Sequence, residues 1–192
     1  MIFDICILNL NTMTEIRIHG RGGQGVVTAS ELISIAAFQE GKNSQAFPSF
    51  GVERTGAPIE AYARIDKNFI RIREHVYEPD ILIVLDATLL ETVDVTQGCH
   101  KGTLAIVNTA QDKEELNINL PKGNIFTVDA TKIALDIFGK NLANTTILGA
   151  LARNTDLFGL ESLKKAIKQK FEDKGKSIIN KNIKAVERAY ES

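Results

Sequence analysis

The sequence predicts an α/β fold: a single domain built on a mostly parallel, mixed sheet with a β-hairpin and flanking helices. Three observations carry that expectation. The alternating run Glu15-Ile-Arg-Ile-His19 feeds a glycine-rich loop, Gly20-Arg-Gly-Gly-Gln-Gly25, and a helical pattern follows at once. That order is the Rossmann-like opening by which α/β domains aim backbone N–H groups at an anion. Ile81-Leu-Ile-Val-Leu85 is a continuous apolar run closed by Asp86, as suits a central parallel strand buried on both faces. Further strand-like segments then alternate with helical ones towards the C-terminus.

Taken in order, the first strand is expected over 15–19 and the first helix over 24–40. Val26, Ala29, Ile33, Ala36 and Ala37 share one stripe of that helix, and Gly41 is placed to stop it. Residues 42–58 carry two prolines and two glycines among Ser, Asn and Gln, and read as a long irregular loop, a kind that is usually functional. Ile59–Ile65 and Phe69–Arg73 alternate apolar with polar around Asp66-Lys67-Asn68, which predicts an antiparallel hairpin with Arg64, Arg71 and Arg73 on its solvated face. After the strand at 81–85, the capping-box spacing of Thr88-Leu-Leu-Glu91 predicts a short helix over 89–95. Strands at 103–107 and 124–128 follow, then a helix over 131–138 ended by Gly139. Another helix opens with Asn144 or Thr145 as N-cap, and two helices broken near Gly175 fill 160–190.

Apolar residues make up 44% of the 192-residue chain, enough for one domain with a real core. The formal charge is −1, from 23 Lys and Arg against 24 Asp and Glu. Neither this balance nor any basic run points to nucleic acid. Cys6 and Cys99 are too few for a disulfide framework, and without a C-x-x-C they do not suggest an iron–sulfur cluster held by this chain alone. Such usage fits a reducing cytoplasm. Residues 1–12 read as an N-terminal extension to a domain spanning 13–192. They are apolar but carry Asp4, lack a basic start and fall short of the roughly 20 residues that cross a membrane. Either translation opens at Met13, or the segment is an added edge strand or a disordered tail.

Gly20, Gly22 and Gly25 satisfy G-x-G-x-x-G, which alone is a weak signal and fits a tight strand-to-helix turn without a ligand. The nicotinamide version needs an acidic residue about 20 positions on, at the end of a second strand. Glu40 has the distance but ends a helix, and 42–50 holds no strand-like run. A phosphate without a nicotinamide dinucleotide is therefore the better fit. Arg21 adds a permanent positive charge there, and Gln24 offers a donor and an acceptor. A second block, Phe47-Pro-Ser-Phe-Gly-Val-Glu-Arg-Thr-Gly-Ala-Pro58, is freed at Gly51 and Gly56 and stiffened by Pro48 and Pro58. Ligand contact and docking on a partner chain both fit it. Asp86 stands where open α/β sheets bind ligands, and equally where a cap is needed. His19, His75 and His100 show no metal-ligand spacing, and His19 reads as the end of a strand.

Four blocks together resemble one family. They are Gly20-Arg-Gly-Gly-Gln-Gly-Val-Val-Thr-Ala29, Gln45-Ala-Phe-Pro-Ser-Phe-Gly-Val-Glu-Arg-Thr-Gly-Ala-Pro58, Glu78-Pro-Asp80, and Asn144-Thr145 with Leu148-Gly-Ala150. The chain is similar from Met13 onward to the gamma subunit of pyruvate (2-oxoacid):ferredoxin oxidoreductase, or pyruvate synthase. Its Phe-Pro-Ser-Phe-Gly form resembles the pyruvate branch more than the 2-oxoglutarate or branched-chain branches.

The resemblance implies an assembled enzyme that converts pyruvate, coenzyme A and oxidised ferredoxin into acetyl-CoA, carbon dioxide and reduced ferredoxin. It implies alpha, beta and delta partner subunits, with ferredoxin met through the complex. Thiamine diphosphate with magnesium, and the iron–sulfur clusters, are implied on those other subunits. For this chain it implies coenzyme A binding and no bond-making residue. Under that reading the N–H groups of Gly22, Gly23, Gln24, Gly25 and Val26 hold a phosphate, and Arg21 and Arg54 balance its charge. Gln24 and Thr55 orient the ligand. A purely structural subunit and a stand-alone Rossmann oxidoreductase using NAD or flavin are the competing expectations.

Overall fold

A computed structural model describes residues 13–49 and 55–192. The expectations for residues 1–12, and for Phe50 to Arg54 of the second block, lie outside the described residues. Six strands form one sheet: β1 (Thr14–Arg21), β2 (Asn43–Pro48), β3 (Pro58–Asp66), β4 (Ile81–Val84), β5 (Leu104–Asn108) and β6 (Ile125–Val128). Their spatial order is β2-β3-β1-β4-β5-β6. Strands β1, β4, β5 and β6 run parallel, while β3 is antiparallel to both β1 and β2. Among the described residues there are five α-helices: α1 (Val26–Gln39), α2 (Ala130–Phe138), α3 (Ala143–Asn154), α4 (Leu160–Lys170) and α5 (Lys176–Glu191). The mixed α/β sheet is as the sequence leads one to expect.

All five helices share one apolar core with Ile16, Ile18, Ala61, Ala63, Ile81, Ile83, Leu104 and Ile106. On the opposite face Leu82, Val84, Ala105 and Val107 meet Leu89, Val95, Leu116 and Ile118 from the connecting segments. Residues on alternate sides of β4 are therefore equally buried, which is why 81–84 is apolar without alternation. Each such fully buried Ile or Leu contributes about 1.5–3 kcal/mol relative to exposure.

Several expectations need correction. Residues 42–58 are not irregular throughout, because Asn43–Pro48 is an edge strand paired with β3 in the register Ala46↔Ala63. Asn43-Ser-Gln-Ala lacks the β-branched run that marks strands from sequence. The strand forms because β3 offers it a free edge, and Pro48 sits at its end, where a missing donor is tolerated. This strand does not revive the nicotinamide reading: β3 separates it from β1 and runs antiparallel to both.

Residues 69–73 form no strand, and the predicted hairpin is absent. β3 has β1 on one side and β2 on the other, so no edge remains for 69–73 to pair with. Arg71 and Arg73 are exposed as expected, but Arg64 is only 1% exposed. Its Nε donates to Glu15 Oε1 at 2.6 Å, and its guanidinium lies 5.1 Å from the centroid of the Phe47 ring.

The helix predicted at 89–95 is a 3-10 turn over Ala87–Glu91, opened by Asp86 rather than Thr88. Neither Asn144 nor Thr145 caps α3; Leu142 precedes it, with no side-chain cap. The break near Gly175 between the last two helices is where the sequence places it.

Candidate functional site

β1 ends at Arg21 beside β4, and the chain turns through Gly22–Gly25 into α1. Gly25, with φ 74°, occupies the N-cap position and supplies no side-chain acceptor, and the first turn carries no acid. Only glycine takes this left-handed backbone without strain. A Cβ there would overlap the side-chain amide of Asn144, whose Nδ2 donates to the Gly25 carbonyl at 3.2 Å. α3 thus braces the loop from behind.

The loop faces a cavity of about 270 Å³ lined by Gly22, Gly23, Gly25, Val26, Val27, Thr55 and Ile59. Of the seven amides from Gly22 to Thr28, two are consumed internally: Gly22 N–H donates to the Ala57 carbonyl at 2.9 Å, and Gln24 N–H to the Arg21 carbonyl at 2.9 Å. The N–H groups of Gly23, Gly25, Val26, Val27 and Thr28 have no acceptor among the described residues. Unclaimed amides at the positive end of a 14-residue helix attract an anion.

The Arg21 side chain is held by groups of this chain. Arg21 is not among the cavity walls. Its Nε donates to Asp86 Oδ2 at 3.1 Å, Nη1 to the Gly56 carbonyl at 3.2 Å, and Nη2 to Thr88 Oγ1 at 2.8 Å. Gln24 is engaged as well: its Oε1 accepts from Arg21 N–H at 2.8 Å, and its Nε2 donates to Asp86 Oδ2 at 2.9 Å. Thr55 lines the cavity. Arg54 lies outside the described residues.

Asp86 turns out to be both cap and hub. Burial works to raise its pKa, but hydrogen bonds from Thr88 and Gln24, with the Arg21 charge, outweigh it and hold the carboxyl below its ordinary value. The Asp86 cap was legible in the sequence; sequence reasoning missed its bonds to Arg21 and Gln24 and the bond from Asn144 to Gly25. Asn144 and Asp86 both stood in view, one inside a family-like block and one at the end of a buried strand, but nothing local shows that they reach the glycine loop.

On the far side of β1 lies a second polar group. His19 is 3% exposed, with Nδ1 3.5 Å from Glu60 Oε1. Burial, reinforced by the Arg17 charge and only partly countered by Glu60 and Asp94, lowers its pKa to about 4. Tyr62 donates to Glu60 Oε2 at 2.6 Å, and burial together with that carboxylate pushes its pKa up to about 12.

Comparison with known proteins agrees with this architecture. Residues 15–192 match the family model of the pyruvate ferredoxin/flavodoxin oxidoreductases. The gamma subunit common to the pyruvate and ketoisovalerate oxidoreductases of Thermococcus kodakarensis is 53% identical over 180 residues, covering 93% of this chain and 96% of that protein. Pyruvate synthase subunit PorC of Methanosarcina barkeri is 56% identical over 156 residues, covering 81% of this chain and 85% of that protein. The crystal structure of pyruvate oxidoreductase subunit PORC from Thermotoga maritima has a TM-score of 0.79 at 38% identity, covering 94% of this chain and 96% of that one. A 2-oxoglutarate:ferredoxin oxidoreductase from Magnetococcus marinus shares the fold, with a TM-score of 0.74 at 18% identity; the match covers 93% of this chain and 30% of that one. The chain therefore belongs to the pyruvate ferredoxin/flavodoxin oxidoreductase family, and its relatives are the gamma, or PorC, subunits of that multi-subunit enzyme.

Proposed function

We propose that this gamma-type chain holds the phosphorylated end of coenzyme A in the glycine-loop cavity and so presents the thiol to chemistry on neighbouring subunits. The observation that carries this reading is the set of N–H groups without an acceptor among the described residues, Gly23, Gly25, Val26 and Val27, on residues that line the cavity. A diphosphate needs several convergent donors, and a helix start without capping side chain or acid supplies them. Thr55, which also lines the cavity, orients the ligand. Such positioning accelerates a bimolecular step without any bond-making residue.

Alpha, beta and delta subunits are the partners this reading calls for. They carry thiamine diphosphate, magnesium and the iron–sulfur clusters, and the complex passes electrons to ferredoxin in the cytoplasm. Among the described residues no helix is long and apolar enough to cross a membrane. The Thermococcus relative is named as common to pyruvate and ketoisovalerate oxidoreductases. That sharing supports placing the choice of 2-oxoacid on other chains, with pyruvate the substrate proposed for this complex.

Val27→Glu tests the reading. It sets a carboxylate on the cavity wall at a partly buried position, where an acid in a first helical turn favours the helix. In the assembled complex the KM for coenzyme A should rise at least about tenfold, the factor that about 1.4 kcal/mol supplies, with the KM for pyruvate unchanged. An unchanged KM for coenzyme A would favour a purely structural role.

A further inference from the structure

We infer that Arg21 is a positioning residue for coenzyme A and not a phosphate ligand: its guanidinium fork ties the Gly56 carbonyl to the Asp86–Thr88 turn and so sets the Thr55 wall of the cavity. The inference rests on the coenzyme A reading above. Two separate stretches of chain, the Asp86–Thr88 turn and Gly56, converge on this one side chain. Nε meets Asp86 Oδ2 at 3.1 Å, Nη2 meets Thr88 Oγ1 at 2.8 Å, and Nη1 meets the Gly56 carbonyl at 3.2 Å.

The acceptors are themselves fixed. Asp86 Oδ1 accepts from Thr88 Oγ1 at 2.6 Å and from Thr88 N–H at 3.1 Å, while its Oδ2 also accepts from Gln24 Nε2 at 2.9 Å. Gln24 returns to the Arg21 backbone. The ring of contacts closes on the loop that bears the unclaimed amides.

Among the described residues the wall is otherwise tied through backbone groups of Gly22. Gly56 N–H donates to the Gly22 carbonyl at 3.0 Å, Gly22 N–H donates to the Ala57 carbonyl at 2.9 Å, and an isolated bridge pairs Gly22 with Thr55. Arg21 supplies the side-chain link from Gly56 to the end of β4. A planar fork with several donors makes three such bonds at once, whereas a lysine ammonium on a flexible stem does not reproduce them. A carboxylate on Nε also offsets the charge that a phosphate would otherwise meet.

A ligand role and a positioning role predict different kinetics. In assembled complexes carrying Arg21→Ala, Arg21→Lys or Asp86→Asn, the KM is measured for coenzyme A, for dephospho-coenzyme A and for pyruvate. The expected result is a rise of about tenfold, equal to about 1.4 kcal/mol, for both forms of coenzyme A by the same factor in all three variants. Pyruvate KM stays at the wild-type value, which confines the change to the coenzyme A side; a general loss of folding or assembly would instead lower Vmax and leave both KM values unchanged. Wild-type behaviour of Arg21→Lys, or a loss confined to coenzyme A with its extra phosphate, would overturn the inference and make Arg21 a ligand. If Val27→Glu leaves the coenzyme A KM intact, the underlying reading fails and this inference falls with it. If Val27→Glu raises that KM while the Arg21 variants do not, the inference alone fails.

Discussion

Gly25 carries two demands at once, a left-handed backbone and room for the Asn144 amide. Gly41 has the same kind of backbone, φ 77°, but open space around it. Gly41→Ala should therefore cost only about 1 kcal/mol of conformational strain. Gly25→Ala should cost more, because Asn144 has to give way and its bond to the Gly25 carbonyl is lost. Urea unfolding of the two variants checks the order. His19 makes a different prediction at the same scale. Its pKa of about 4 in the fold lies below the ordinary 6.5, so the unfolded chain binds the proton more readily. Stability is then full above about pH 6.5 and is lost as pH falls towards 4, by on the order of 3 kcal/mol. Melting curves between pH 7 and 4.5 should show this fall, and His19→Gln should flatten it.

Among the elements, β3 decides the left half of the sheet. Pairing on both edges makes it an interior strand, and its register with β1 sets Arg64 opposite Glu15. Arg64 Nη2 donates to the His75 carbonyl at 3.2 Å, while Nη1 has no partner among the described residues. A buried cation that loses its carboxylate is costly, whereas replacing it by an apolar side chain of similar size is much less so. Glu15→Ala should thus destabilise by about 3 kcal/mol and Arg64→Met by clearly less, as chemical denaturation would measure.

The same strand shows what the sequence could and could not reveal. Ile16, Ile18 and the run at 81–84 announce their burial by pattern, and Gly139 and Gly175 mark their helix boundaries by backbone chemistry. Arg64 looks like a surface residue because alternation says only which face it takes, not whether another segment covers that face. β2 was hidden because an edge strand of Asn, Ser and Gln owes its form to its neighbour. The glycine loop was legible as a strand-to-helix turn, but the destinations of Arg21 and Gln24 depend on Asp86, 65 and 62 residues away in the chain.

For the molecule as a whole, the helical layer anchors one side of the sheet while the ends of β1 and β4 meet at the glycine loop. The chain offers a wall of amides and a brace behind it, which suits a subunit that presents a carrier to chemistry elsewhere in a complex. Hydrogen exchange on the assembled complex tests this most directly, since it reads the loop amides themselves. Saturating coenzyme A should slow exchange across Gly23 to Thr28, with dephospho-coenzyme A doing the same and NAD leaving it unchanged. Exchange in that stretch that is identical with and without coenzyme A would contradict the account.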